Sequence, residues 1–395
     1  MRKPAILGAP PAFGEQVFIS RPLIPDKDEL FAEYEKILSS RWLTNNGSYL
    51  QEFEKQLSKF LEVEKCSVFC NGTLALQLAI QGLRLGGEVI TTPFTFPATV
   101  HALYWNNIKP VFCDVDPKTY NIDVNKIESL INPNTTGILP VHVFGNPCNV
   151  FLIEKIANNY GLKVIYDSAH AFGVRYDGKS IGNFGNASMF SFHATKSFNT
   201  LEGGAIASPD ISLINRLSSY KNFGIVDEEH IIGPGVNGKM NEFQAAFGLL
   251  NLKKINIEIE NRATLTKKYI ENLKKTEGLS FQFFDSTVER NYQYFTIKVD
   301  SELFGLSRDE LHLALKKENI ITRKYFYPLC SNYSCYHALP SASKDSLPEA
   351  NKLATSILCL PLHGELKEDA VLKIVDCIEN CHHHAREIRN KIDEE

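Results

Sequence analysis

The sequence predicts an α/β protein: a mostly parallel seven-stranded sheet flanked by helices, followed by a smaller α+β C-terminal region. Short apolar runs recur near residues 66–69, 88–92, 110–114, 137–143, 163–166, 187–192 and 203–207. Helix-forming stretches separate them, which is the pattern of parallel strands covered by helices on both faces. A long helix expected over Met240–Ile259, rich in Ala, Leu and Lys, then leads into a second region. There Tyr294–Val299 reads as a strand, and helix and strand candidates alternate to about residue 380.

In chain order, the first 25 residues are proline-rich and read as an arm that packs on other surfaces. Asp28–Ser40 reads as an amphipathic helix, with Leu30, Phe31, Tyr34, Ile37 and Leu38 near helical spacing. Cys66–Phe69 is a short buried strand. It runs into Asn71-Gly72-Thr73 and then Leu74–Ile80, a strong helix former. Val164-Ile165-Tyr166 is a strand ending in Asp167. A further strand ends at Ser191, close before Lys196. The expected segmentation is 1–49 for arm and first helix, 50–253 for the large domain and 254–395 for the small one. The charged tail after Ala385 reads as a solvated helix end.

Three of these segments belong to one chemistry. A small-residue turn that opens a helix presents free backbone N–H groups and the positive end of the helix dipole, which together bind phosphate. A strand-end acid can hold a ring nitrogen protonated, and a lysine after a strand can condense with an aldehyde. Gly72-Thr73, Asp167 and Lys196 with Ser191 supply these in turn, each after an expected strand. That is what pyridoxal 5'-phosphate requires of a protein. Taken singly the three are weak signals: a cap, a turn acid and a surface lysine. Their joint placement at strand ends, where open α/β sheets bind ligands, makes the set specific.

The chain resembles the DegT/StrS-like nucleotide-sugar aminotransferases, of fold-type I. The resemblance spans Arg41-Trp42-Leu43-Thr44-Asn45-Asn46-Gly47 to Leu358-Cys359-Leu360-Pro361-Leu362-His363. It includes Pro93–Thr99, Pro140–Gly145, Met240–Ala246 and the run His193-Ala194-Thr195-Lys196. It implies Lys196 and Asp167 as catalytic residues and a cofactor site of Gly72, Thr73, Phe96, Asp167, Ala169, His170, Ser191, Lys196 and Asn237. Phe96 would stack on the cofactor ring, Ala169 press on its other face, and His170 lie near its phenolic oxygen. Asn237 would come from the neighbouring subunit of a homodimer with shared active sites. The chain departs from the family pattern at Gly238-Lys239, where an aromatic and an Arg are frequent. Lys cannot make the planar bidentate contact of Arg.

The resemblance further implies amino transfer from L-glutamate to a nucleotide-linked keto-deoxysugar. His193–Lys196 with Glu202-Gly203-Gly204 looks most like sugar 4-aminotransferases, and dTDP-4-keto-6-deoxyglucose is the expected acceptor. A sugar 3-aminotransferase and a same-fold 3-dehydratase are alternatives. The dehydratases replace the lysine with histidine, so Lys196 counts against them. A non-catalytic, cofactor-binding regulator is the rival from another class.

Bulk properties agree with such a protein. At 395 residues, 44% hydrophobic and 22% charged, the chain can form two domains with a large core. A formal net charge of −4 gives no support for nucleic-acid binding. No apolar run approaches the roughly 18 residues of a membrane span, and the start does not read as a signal peptide. Nine scattered cysteines point to free thiols and a cytoplasmic setting. Cys377 and Cys381, one helical turn apart, read as an inward face and His382–His384 as solvated, so no metal is expected.

Overall fold

The computed structural model describes residues 2–394; Met1 and Glu395, the outermost residues of the expected first and last segments, lie outside the described residues. Thirteen strands occur in it. In chain order they are β1 (Cys66–Phe69), β2 (Glu88–Thr91), β3 (Lys109–Phe112), β4 (Thr135–Leu139), β5 (Lys163–Asp167), β6 (Arg175–Tyr176) and β7 (Lys179–Ser180). Then come β8 (Ala187–Ser191), β9 (Gly204–Ala207), β10 (Leu279–Phe281), β11 (Val288–Glu289), β12 (Phe295–Val299) and β13 (Ile357–Leu360).

Seven of them form the main sheet in the order β1-β9-β8-β5-β4-β2-β3. All run parallel except β9, which is antiparallel to both of its neighbours. Each of the seven expected runs is one of these strands. Their near-continuous apolar sequence reflects burial on both faces. The fourth run stops at Leu139 because Pro140 has no N–H to give to the ladder.

The expected single helix over Met240–Ile259 is two helices, Glu242–Leu252 and Ile255–Leu273. Asn241 caps the first in a reciprocal box with Gln244, which places the start two residues later. At the break, Lys253 and Lys254 donate to carbonyls only three residues back, those of Leu250 and Asn251. The Asn251 side chain is pinned there by the carbonyls of Leu23 and Asn199.

Beyond the break, β10, β12 and β13 form a three-stranded antiparallel sheet. It shares an apolar core with helices Ile255–Leu273, Arg308–Lys317 and Glu368–His383. Cys377 and Cys381 face this core, while His382 donates to the Phe304 carbonyl. The tail is not merely solvated. Ala385–Asp393 is a helix whose Ala385 and Ile388 are buried, with Ile392 half-buried on the same stripe. Burying such an aliphatic side chain contributes about 1.5–3 kcal/mol, enough to dock a short charged helix.

The N-terminal arm is held on this second unit. Glu318 accepts from the N–H groups of Ala5 and Ala12, both at 2.6 Å, and Val17 bridges Ile320. In helix Lys27–Ser40 only Ile37 of the expected apolar face is fully buried; Phe31 and Leu38 are exposed. A small third sheet in the order β11-β6-β7 pairs β11 with β6, stitching the second unit to the hairpin after β5. Among the described residues no helix is long and apolar enough to cross a membrane.

Candidate active site

The carboxyl ends of β1, β5 and β8 open on one cavity of about 630 Å³. Gly72, Thr73, Phe96, Asp167, Ala169, His170, Ser191 and Lys196 all line it. Topology explains the convergence: parallel strands end on the same side of a sheet, and the loops that follow them gather there. β9 runs the other way, so the loop before it brings Glu202 to the same rim.

Asp167 is buried at 4% exposure. Its Oδ1 accepts from the Ala169 N–H at 3.0 Å and its Oδ2 from the Thr99 hydroxyl at 2.7 Å. Burial nonetheless raises its pKa above the ordinary aspartate value, because the two donors offset only part of the lost hydration. Such a carboxylate is complementary to a cationic N–H that faces it across the cavity.

Lys196 keeps some surface because it faces the cavity. Burial in the surrounding protein brings its amine down to about 8, against the opposing pull of Asp167. A sizeable neutral fraction of the amine is therefore present near neutral pH, as attack on a carbonyl requires. Its loop is clamped from the second unit: Gln293 accepts from the Ser197 N–H at 2.9 Å and donates to the Thr195 carbonyl at 3.4 Å.

His170 is buried against Phe144 and Phe326, its ring nearly parallel to Phe326 at 5.9 Å between centroids. Burial and the charge of Lys196 hold its pKa well below the usual value, so it is a neutral imidazole. The Phe144 N–H donates to Nδ1, which leaves the ring proton on Nε2.

Helix Gly72–Gly82 starts against this site. Its Asn71 cap accepts from the Leu74 N–H, and the Asn71 carbonyl from that of Ala75. The N–H groups of Gly72 and Thr73 have no partner among the described residues. They sit with the Thr73 and Ser191 side chains on the cavity wall. Gly72 is required by space: a Cβ there would come within 3.1 Å of the Ser191 Cβ and 3.2 Å of the Met189 sulfur. Gly204 is tighter still, since its Cβ would lie 2.6 Å from the Gly72 backbone.

With this geometry, comparison with known proteins is decisive. The profile of the DegT/DnrJ/EryC1/StrS aminotransferase family matches residues 25–379. The chain belongs to that family. It is accordingly a transaminase. A dTDP-4-amino-4,6-dideoxy-D-glucose transaminase of Escherichia coli is 47% identical over 359 residues, covering 90% of this chain and 96% of that one. A transaminase of the same name from Shigella dysenteriae is 45% identical, covering 92% and 98%. Among solved structures, DesI crystallised in the presence of its TDP-sugar product superposes with a TM-score of 0.94. It is 34% identical, over 98% of each chain.

Within this DegT/StrS-type cavity stand residues that the sequence did not mark as site residues. Arg323, Tyr325 and Phe326 reach it from the segment beside β13, and Tyr294 from the start of β12. Nothing in their local spacing signals a site, because they come from the second unit. Thr95 and Thr99 were legible only as part of a family segment. Asn237 is the exception among the expected residues. It is exposed, bridges Asn222, and does not line the cavity of its own chain.

Proposed function

We propose that this transaminase moves the amino group of L-glutamate to C4 of dTDP-4-keto-6-deoxyglucose, using pyridoxal 5'-phosphate. The observation that carries the reading is the convergence of Lys196, Asp167 and the Gly72 helix start on one cavity, in a chain so similar to two transaminases named for that 4-amino sugar.

The residues present fit the cofactor. The donor set at Gly72, Thr73 and Ser191 suits a phosphate, and the space that a Cβ at Gly72 would fill is kept clear. The buried Asp167 suits a ring N–H. Phe96 and Ala169 offer faces for the ring, and His170 Nε2–H a donor for its oxygen. When bound, the group supplies an electron sink for the carbon that loses its proton.

The chain does the rest. Asp167 holds the ring nitrogen protonated, and Thr99 and the Ala169 N–H keep that carboxylate oriented. Lys196, as a neutral amine, removes the proton from the donor's α-carbon. In the second half-reaction it delivers a proton to the sugar carbon that gains nitrogen. Phe96, Tyr294 and Phe326 exclude water from these transfers.

A homodimer with Asn237 acting across the interface belongs to the same reading. Exposed Phe223, Ile231, Ile232 and Val236 lie in the same loop region as Asn237, and exposed apolar side chains gathered in one place suit an interface. Supplying the protein with cofactor, glutamate and a panel of nucleotide-linked 4-keto and 3-keto sugars tests the proposal. Mass spectrometry should find the amino sugar from the dTDP 4-keto substrate. Amination of only the 3-keto sugar, or none, would overturn it.

A further inference from the structure

Among the described residues, Arg323 is the one arginine on the cavity wall. Its backbone is fixed: the N–H donates to the Cys359 carbonyl at 3.1 Å, and the Cys359 N–H donates back at 2.8 Å. Its guanidinium is uncommitted. It lies 6.0 Å from the Tyr325 ring centroid, and among the described residues it makes no ion pair. Two other arginines of this unit are in ion pairs: Arg262 with Glu258 and Arg308 with Asp309. A permanent cation on a fixed backbone, in no ion pair and on the wall of the cavity that Lys196 also lines, is suited to receive an anion.

We infer that Arg323 binds the side-chain carboxylate of the amino donor and thereby sets the cavity's preference for an acidic amino acid. This rests on the donor named in the proposed function. The cavity must accept in turn an amino acid with two carboxylates and a keto sugar whose reacting carbon bears no carboxylate. Lys196 cannot serve as the anchor, since its amine is consumed in the chemistry. His193 is engaged at 3.5 Å by Glu202 on the rim, and that acid repels a carboxylate brought near it. Arg323 is left as the unreactive cation. Its planar guanidinium matches a carboxylate bidentately, and because it is unpaired it can accept the donor without first breaking an existing ion pair.

Arg323 and Tyr325 also border a second cavity of about 430 Å³ that holds Lys316 and Lys324. A diphosphate there would be the competing ligand, although Lys324 is already paired with Asp309 at 3.0 Å. The experiment separates the two. Arg323→Gln and Arg323→Lys would be compared with the parent holoenzyme in single-turnover reactions with L-glutamate. They would also be compared in calorimetric titrations with glutarate, a dicarboxylate that cannot react, and with dTDP.

The expected result for Arg323→Gln is a loss of about ten- to a hundredfold in affinity for glutamate and glutarate, the size of one charge-assisted contact. Arg323→Lys should recover part of it, with dTDP binding unchanged in both. Unchanged glutamate and glutarate affinity, or a loss confined to dTDP, overturns the inference. If the parent protein itself shows no turnover with glutamate, the donor in the proposed function fails. The glutarate titration then decides for Arg323 alone.

Discussion

Thr99 donates to Asp167 Oδ2 at 2.7 Å and shares a second hydrogen bond, at 2.8 Å, with Thr95. A hydroxyl carries one proton, so Thr95 must donate to Thr99. The chain of donors therefore runs from the cavity wall to the buried carboxylate. Thr99→Val keeps the shape and removes the link. Asp167 already binds its proton more tightly than an ordinary aspartate, and losing Thr99 moves it further in that direction. The acid limb of the activity profile should shift to higher pH, with turnover down about tenfold, as for a lost charge-assisted hydrogen bond. An unmoved acid limb would show that Thr99 is only packing.

Lys196→Ala should abolish transamination while the protein still binds cofactor through the phosphate contacts. Borohydride reduction of the parent holoenzyme, followed by peptide mapping, should tag the peptide containing Lys196. A tag on another lysine would sink the assignment.

Asp167→Asn should retain cofactor and lose most activity, because an amide does not stabilise a protonated ring nitrogen. Near-parental turnover in this variant would show that Asp167 faces something else.

The pH dependence of aldehyde capture by cofactor-free protein gives an independent reading. The Lys196 amine is held at about 8, so the capture rate should rise with pH up to that value and level off above it. Asp167 opposes the lowering. In Asp167→Asn the plateau should therefore begin at a lower pH. A plateau that moves upward would contradict the coupling between the two groups.

The shared-site proposal is tested by mixing. Lys196→Ala protein and a variant crippled at Asn237 would be allowed to exchange subunits. A mixed dimer in which Asn237 acts across the interface has one site with both groups intact, so part of the activity should return. No recovery despite proven exchange, or a fully active monomer, overturns the model.

Sequence alone settled the sheet and the local half of the cavity. Each buried parallel strand is a short apolar run bounded by turn chemistry, so β1, β5 and β8 and their terminal Gly72, Asp167 and Ser191 were legible in order. Fold logic then places strand ends together without further information. The break at Lys253–Lys254 was not legible, because Asn251 is pinned by carbonyls from Leu23 and Asn199, far off in sequence. Nor was the docking of the tail, where Ile388 is one apolar residue in a charged run and needs a core from elsewhere to bury it. The far wall of the site was decided by the packing of the two units. Arg323 and Tyr325 carry no local pattern, and they come to the cavity that Lys196 lines only through tertiary packing. Likewise the shifted pKa of Lys196 and the neutral state of His170 exist because packing strips water from both, a property of the assembled cavity and not of either residue's neighbours in the chain.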